Sequence, residues 1–210
     1  MRCAVAVIAV LSALVGCAGG DHHHRRFDNA EKWSKVFDDP ARDAWQRPDE
    51  VMRQLALRGE EAVADIGAGT GYFTVRLARA LPRGRVFAVD AEADMARYLR
   101  DRAARENLRN VTVVQSSTPV LPALVDTALL VDVYHHIPKR TEYFAELRRS
   151  LKPGGRVVVI DFNETSPVGP PARHRIPARV VREELGAAGF VQSQEFGGLP
   201  NQYFLEFKAR

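Results

Sequence analysis

The segment Asp65-Ile66-Gly67-Ala68-Gly69-Thr70-Gly71 constrains this chain more than any other, because three glycines spaced two apart follow directly on the apolar run Ala62-Val63-Ala64. That pattern reads as a strand ending in a glycine loop. Glycine has no Cβ, so such a loop takes positive φ and lets a ligand approach its backbone before the chain enters a helix near Tyr72. The spacing also excludes ligands. A dinucleotide fingerprint, G-x-G-x-x-G, needs its third glycine where Tyr72 stands, and a triphosphate loop needs a Gly-Lys-Ser/Thr ending that is missing here.

The run Arg85-Val86-Phe87-Ala88-Val89 ends in Asp90, 25 positions after Asp65, and reads as the next parallel strand with a carboxylate at its tip. In an open α/β sheet the carboxyl ends of neighbouring strands face one crevice, where an acid can accept hydrogen bonds from both ribose hydroxyls of a nucleoside. Loop and acid together describe a nucleoside site without a phosphate cradle. These residues resemble the class I S-adenosylmethionine-dependent methyltransferases, at Val63 to Gly71 and at Val86 to Asp90. The likeness continues through Leu151-Lys152-Pro153-Gly154-Gly155-Arg156-Val157-Val158-Val159, and covers roughly Trp45 to Phe207.

The resemblance implies a Rossmann-like, doubly wound α/β fold: a mostly parallel seven-stranded sheet with a C-terminal antiparallel hairpin. It implies S-adenosylmethionine as cofactor and methyl transfer to a small molecule. Gly67, Gly69 and Gly71 would line the cofactor, Asp90 and neighbouring Ala91 would meet the ribose, and Asp65 would lie near the methionine ammonium group. Simpler roles stand beside these: the glycines as turn formers, Asp90 as a helix cap. Where many relatives carry an acid for the adenine amino group, this chain has Ser116 and Ser117, whose hydroxyls can also hydrogen-bond adenine. Met95 would flank the adenine or fill the core.

The acceptor side is sketched by Val131-Asp132-Val133-Tyr134-His135-His136-Ile137, where four polar side chains leave an apolar strand. Histidine is the natural proton acceptor near neutrality, so His135 or His136 is the candidate base, with Asp132 or Tyr134 to orient it or the substrate. No third metal ligand can be named, and none is expected. A narrower likeness, to exported-looking bacterial methyltransferase-domain proteins, rests on Asp43-Ala44-Trp45-Gln46-Arg47-Pro48, Tyr134-His135 and Asn201-Gln202-Tyr203. It implies that Trp45 and Gln46 close over the cofactor, with His174 and Gln202 facing the acceptor; Trp45 as a hydrophobic clasp is the plainer reading.

The first residues read differently. Arg2 precedes an apolar stretch, Ala4 to Val15, with the length of a signal-peptide core, ending in Leu14-Val15-Gly16-Cys17. That tetrapeptide resembles a bacterial lipobox. We expect residues 1–17 to be a lipoprotein signal with Cys17 lipidated and the protein held at the periplasmic face of a membrane. A misassigned start on a cytoplasmic protein is the alternative. Cys3 and Cys17 are the only cysteines, so cleavage would leave no thiol for a disulfide, a zinc site or nucleophilic catalysis. Residues 18–47 read as a polar tether containing His22-His23-His24, followed by a helical flap carrying Trp33, Phe37 and Trp45. Residues 48–210 read as the methyltransferase domain.

From Pro48 helices and strands alternate. Helices are expected from an Asp49 cap to Arg58, Tyr72 to Leu81, Glu92 to Asn107, Arg140 to Leu151, and one ending at Ala188. Strands are expected at Glu61–Ile66, Arg85–Val89, Val111–Gln115, Ala128–Val131, Arg156–Ile160, Phe190–Glu195 and Tyr203–Phe207. A net charge of +4, dispersed over 210 residues, gives no reason to invoke nucleic acid. Lack of a large recognition region or an NPPY-like motif after the fourth strand disfavours macromolecular, nucleobase and amide acceptors; we expect a monomer. Arg173, His174, Arg175, Arg179 and Arg182 either favour an acidic acceptor or are solvated charges paired with Glu183 and Glu184. Other readings are a non-catalytic, membrane-anchored nucleoside sensor, which would suit a compartment without a cytosolic cofactor supply, and a nicotinamide oxidoreductase, which Tyr72 disfavours.

Overall fold

The computed structural model describes residues 27–210; the lipobox, Cys17 and the three-histidine tract lie outside the described residues. Two short helices come first, α1 (Ala30–Phe37) and α2 (Arg42–Gln46), followed by α3 (Pro48–Leu55). The alternating part comprises β1 (Ala62–Ile66), α4 (Tyr72–Ala80), β2 (Arg85–Asp90), α5 (Ala93–Arg105), β3 (Val111–Gln115) and β4 (Val125–Val131). It closes with α6 (Arg140–Leu147), β5 (Leu151–Phe162), α7 (Ala178–Ala187), β6 (Phe190–Phe196) and β7 (Gln202–Ala209). The strands form one seven-stranded sheet in the order β3-β2-β1-β4-β5-β7-β6, with β7 antiparallel to both β5 and β6. This is the doubly wound sheet with a C-terminal hairpin that the sequence implies.

Period-two alternation in the parallel strands divides the core. Ala64 and Ile66 of β1 join Phe87, Val89, Val157 and Val159 under Phe144, Leu147, Val181 and Leu185 of α6 and α7. Val63 turns to the other face, with Val86, Leu129 and Val158 beneath Val51, Leu55, Phe73 and Leu77 of α3 and α4. Both faces are covered, which is why these strands read as nearly continuous apolar runs. The strand order reverses between β1 and β4, and at such a switch point the loops leaving the carboxyl ends part into a crevice.

Several boundaries differ from expectation. The third helix starts from Arg47 in the left-handed region, with Pro48 at its first turn, so Asp49 is inside the helix rather than its cap. It stops at Leu55, where Ala56 turns left-handed, instead of reaching Arg58. Glu61 is not in β1: its carboxylate accepts from the Arg58 and Glu60 amides and closes the preceding turn. The helix from Arg140 ends at Leu147, because Leu151 already pairs with Val125 and draws the intervening residues into a 3₁₀ turn. The same pairing lengthens β4 and β5 beyond the expected Ala128–Val131 and Arg156–Ile160, across a bulge between Val125 and Thr127.

Phe144 on α6 is fully buried and stacks on Tyr134, 5.4 Å between ring centroids, just beyond the tip of β4. Truncating it leaves a cavity under that turn. Phe144→Ala should lower the unfolding free energy by about 3–5 kcal/mol, read as a lower midpoint in urea at unchanged slope.

Candidate active site

The glycine loop lies in the crevice, and its three glycines take φ of 69°, 56° and 95° at Gly67, Gly69 and Gly71. At Gly67 the constraint is double: the backbone is left-handed, and a Cβ would lie 2.2 Å from Val133 Cγ2 in the loop after β4. The Gly67 and Ala68 amides donate to Val89 O at 2.8 and 3.0 Å, tying the loop to β2. One residue on, Asp90 takes the Gly69 amide on Oδ2 at 2.8 Å and the Glu92 amide on Oδ1 at 2.9 Å. It thereby joins the glycine loop to the turn before α5, whose N-cap is Glu92 rather than Asp90. A carboxylate offers about four acceptor directions, so each oxygen keeps one for a ligand. Burial raises the Asp90 carboxyl above its ordinary value, against the two amide bonds.

Asp65 is buried beside it, accepting from Thr74 Oγ1 at 2.6 Å. Burial pushes this carboxyl up to about 6; Thr74 pulls it down, the Asp90 charge adds to the rise, and Arg42 opposes it. In the same loop Thr70 Oγ1 is buried with no hydrogen-bond partner among the described residues. Ala91 is exposed next to Asp90, whereas Met95 is sealed at 1% exposure on the inner face of α5, in its core role. Ser116 is held to Asp90 O through its amide at 2.9 Å, and its hydroxyl accepts from the Thr118 amide at 3.0 Å. Ser117 is exposed.

The first two helices cover this edge as the expected flap, with Phe27, Asp38 and Asp43 as partners that sequence reading did not place there. Phe27, Trp33 and Phe37 pack ring to ring, and Phe27 meets the His136 ring at 5.5 Å. Phe37 stands 3.5 Å from where a Gly69 Cβ would be. Arg102 Nη1 bridges Thr70 O and Asp38 at 2.9 Å each, and the Ala30 amide donates to Asp94 at 2.5 Å. The Tyr72 hydroxyl donates to Asp43. Trp45 and Gln46, expected over the cofactor, make their contacts elsewhere: Trp45 packs 5.8 Å from Phe162, and fully buried Gln46 donates to Gln202 Oε1 at 2.6 Å. α2 ends over the tips of β5 and β7, which sets those side chains on the acceptor side.

At the tip of β4, Asp132 takes a left-handed φ of 59°. Its carboxylate accepts from Gln202 Nε2 and from Arg42 Nη2, the latter at 3.1 Å. Burial pushes it up to about 7 against the Arg42 charge. Tyr134, expected beside the histidines, points away from them: it is fully buried and donates to Glu184, which Arg140 also holds, so it serves the core and not the crevice. The partner of His135 is Asp161 at the end of β5, 2.9 Å from Nδ1. Burial lowers the His135 pKa, but the hydrogen bond and charge of Asp161, with the Asp132 charge, outweigh it and hold the value above ordinary. The ring of His136 lies 4.0 Å from that of His135. Nothing in Ile160-Asp161-Phe162 marks this acid as special; only the pairing of β5 beside β4 brings it to His135.

His174 sits half-buried in a 3₁₀ turn of the Pro-rich segment. Two of the four arginines near it in sequence are committed to structure, while Arg173 and Arg179 are exposed. Arg175 donates to the carbonyls of Pro170, Glu164 and Val168, and Arg182 bonds Gln192 and Glu195. Glu184 pairs with Arg140 rather than with them.

Comparison with known proteins places this geometry in context. A family model described as a methyltransferase domain matches residues 63–155. The chain is similar to a ubiquinone/menaquinone biosynthesis C-methyltransferase from Syntrophotalea carbinolica, 32% identical over 122 residues, covering 56% of this chain and 51% of that protein. It is likewise 32% identical over 134 residues to a trans-aconitate 2-methyltransferase from Rhodopseudomonas palustris, covering 62% and 48%. The chain thus spans about half the length of the curated relatives it matches. In fold it resembles a SAM-dependent methyltransferase from Aquifex aeolicus, with a TM-score of 0.81 at 24% identity over 88% of this chain and all of that one.

The buried Asp65 carboxyl has a consequence for stability. Its folded-state pKa of about 6 exceeds the ordinary 3.8, so its favourable contribution is full below about pH 4 and is lost as pH rises through 6. Asp65→Asn should therefore raise the unfolding free energy at pH 7.5 by about 1–3 kcal/mol and give no gain at pH 4, measured by denaturant unfolding at both.

Proposed function

We propose that this chain is a class I S-adenosylmethionine-dependent methyltransferase, an enzyme that transfers a methyl group to a small molecule. The observation that carries the reading is the Gly69–Asp90 hydrogen bond at the carboxyl edge of the sheet, joining a glycine loop to a strand-tip carboxylate with acceptor capacity to spare. Other features fit the same ligand. Thr70 Oγ1 is a buried hydroxyl awaiting a partner, and Asp65 is a buried acid whose one hydrogen-bond donor is neutral. Asp90 would take the ribose hydroxyls, the backbone of Gly67 to Gly71 would border the nucleoside, and Asp65 would balance the ammonium group. When bound, S-adenosylmethionine supplies an electrophilic methyl group on a sulfonium centre.

The chain's own residues do the rest. Phe27, Trp33 and Phe37 form an aromatic cluster that meets the loop through Phe37 at Gly69. His135 provides a ring nitrogen for an acceptor proton, and Trp45 and Phe162 offer an aromatic wall. The named relatives act on different chemistry, a quinone-pathway carbon in one and aconitate in the other. Here Arg42 already spends its donors on Phe37 O, Gln46 and Asp132, and the site bears the carboxylates Asp132 and Asp161. That balance favours a neutral aromatic or conjugated acceptor over a polycarboxylate. A non-catalytic sensor would need the glycine loop and Asp90 but has no use for the His135–Asp161 pair. We further infer from Leu14-Val15-Gly16-Cys17 that the protein is anchored by a lipidated Cys17 at the cell envelope.

Calorimetry tests the first reading. The purified domain should bind S-adenosylmethionine and its demethylated product, and Asp90→Ala should weaken both by about 10- to 100-fold, the loss of charge-assisted hydrogen bonds. Wild-type affinity should rise as pH increases through about 6, because the cationic ligand prefers ionised Asp65. Unchanged affinity in the variant would remove Asp90 from the site. For the anchor, wild-type protein should partition into membranes and Cys17→Ala should not; soluble wild-type protein with Met1 intact would refute it.

A further inference from the structure

We propose that Asp161 is the positioning residue for His135, holding the ring by Nδ1 so that Nε2 is the basic atom that receives the acceptor's proton. The proposal rests on the methyltransferase reading for the source of that proton, and on local geometry for the rest. Both carboxylate oxygens lie 2.9 Å from His135 Nδ1. Oδ2 also accepts the His135 amide at 3.1 Å, and Oδ1 accepts the Phe162 amide at 2.7 Å. Two backbone donors thus fix the carboxylate, and the carboxylate fixes the ring. The side chains of His135 and Asp161 are 5% and 1% exposed, so neither has freedom to rotate away.

An ionised carboxylate only accepts, so Nδ1 carries the proton in the neutral ring and the lone pair is at Nε2. Nε2 makes no hydrogen bond among the described residues, which leaves its lone pair for an acceptor's proton. The sheet enforces the pairing: Val131 of β4 is in register with Ile160 of β5, which puts the turn bearing His135 level with Asp161. Other groups share this environment. Asp132 and Arg42 face each other from β4 and α2, Tyr203 pairs with Asp161 across β5 and β7, and the His136 ring lies against His135.

The proton and electron balance is closed. As the acceptor's electron pair forms the bond to the methyl carbon, the carbon–sulfur pair returns to sulfur, and the acceptor's proton passes to Nε2. The resulting imidazolium is held against the Asp161 carboxylate.

The test uses ¹⁵N-histidine NMR on the cofactor-free domain, with the His135 signal assigned from His135→Gln. Wild-type His135 should carry its neutral-form proton on Nδ1 and titrate above the ordinary value of about 6.5. Asp161→Asn should lower the midpoint by about one unit or more, a tenfold change in the protonation constant, and Asp161→Glu should restore it in part. A carboxylate that did not hold Nδ1 would move neither tautomer nor midpoint; a purely structural clip is separated by kcat and its pH inflection, which it would leave unchanged. A neutral-form proton on Nε2 in the wild type, or an unchanged midpoint in Asp161→Asn, overturns the proposal; if that variant fails to fold, the wild-type tautomer decides alone. With an acceptor in hand, Asp161→Asn should cut kcat by about 10-fold or more and shift the rate inflection to lower pH, leaving cofactor affinity within a few-fold. The two readings fail separately. Protein with the expected His135 titration but no affinity for S-adenosylmethionine overturns the methyltransferase reading and with it the proton's source. Protein that binds S-adenosylmethionine but has Nε2 protonated overturns only the role of Asp161.

Discussion

The parallel pairing of β1 with β2 on one side and β4 on the other is the constraint on which the rest of the molecule depends. Asp65 is in register with Ala88 and with Leu129, so the tips of three strands finish on one level. From that level the chain must leave in opposite directions, and the glycine loop fills the gap. The loop cannot be relaxed into an ordinary turn, because Val133 from the β4 side already occupies the volume a Gly67 side chain would need. Loop, Asp90 and the histidine turn are therefore parts of one packing problem.

That edge concentrates acid. Asp65, Asp90, Asp132 and Asp161 all reach it, and burial raises the first three above their ordinary range. Keeping like charges near one another in low dielectric costs free energy, and such arrangements persist where function needs them. Asp132 is offset by Arg42 and Asp161 by His135. Among the described residues neither Asp65 nor Asp90 forms an ion pair, so these two are the acids to which a cationic nucleoside ligand is the natural complement.

The covering helices depend on the site as much as the site depends on them. At eight and five residues, α1 and α2 are too short to be stable alone. They are held by Asp94, Arg102, Tyr72 and Asp132, residues of α5, of α4 and of the β4 tip. A change in the crevice is thus transmitted to its cover through a handful of polar contacts over an aromatic cluster.

Sequence alone determined the alternation of elements, the glycine loop and the strand-tip acid, because these are written in local signals: apolar runs, residues that tolerate positive φ, and a fixed spacing. It also marked His135 as a candidate base. It did not find Asp161, and it set Tyr134 in the crevice when the side chain belongs to the core. Both follow from one physical fact. Which side chain meets which across β4, β5 and α7 depends on strand register and on the turn made after Asp132, and neither leaves a trace in the order of residues. The same holds for the cover. Trp33, Phe37 and Trp45 read as a helical flap, and only tertiary contacts decided that Phe37 meets Gly69 and that Phe27, which the sequence did not mark, meets His136.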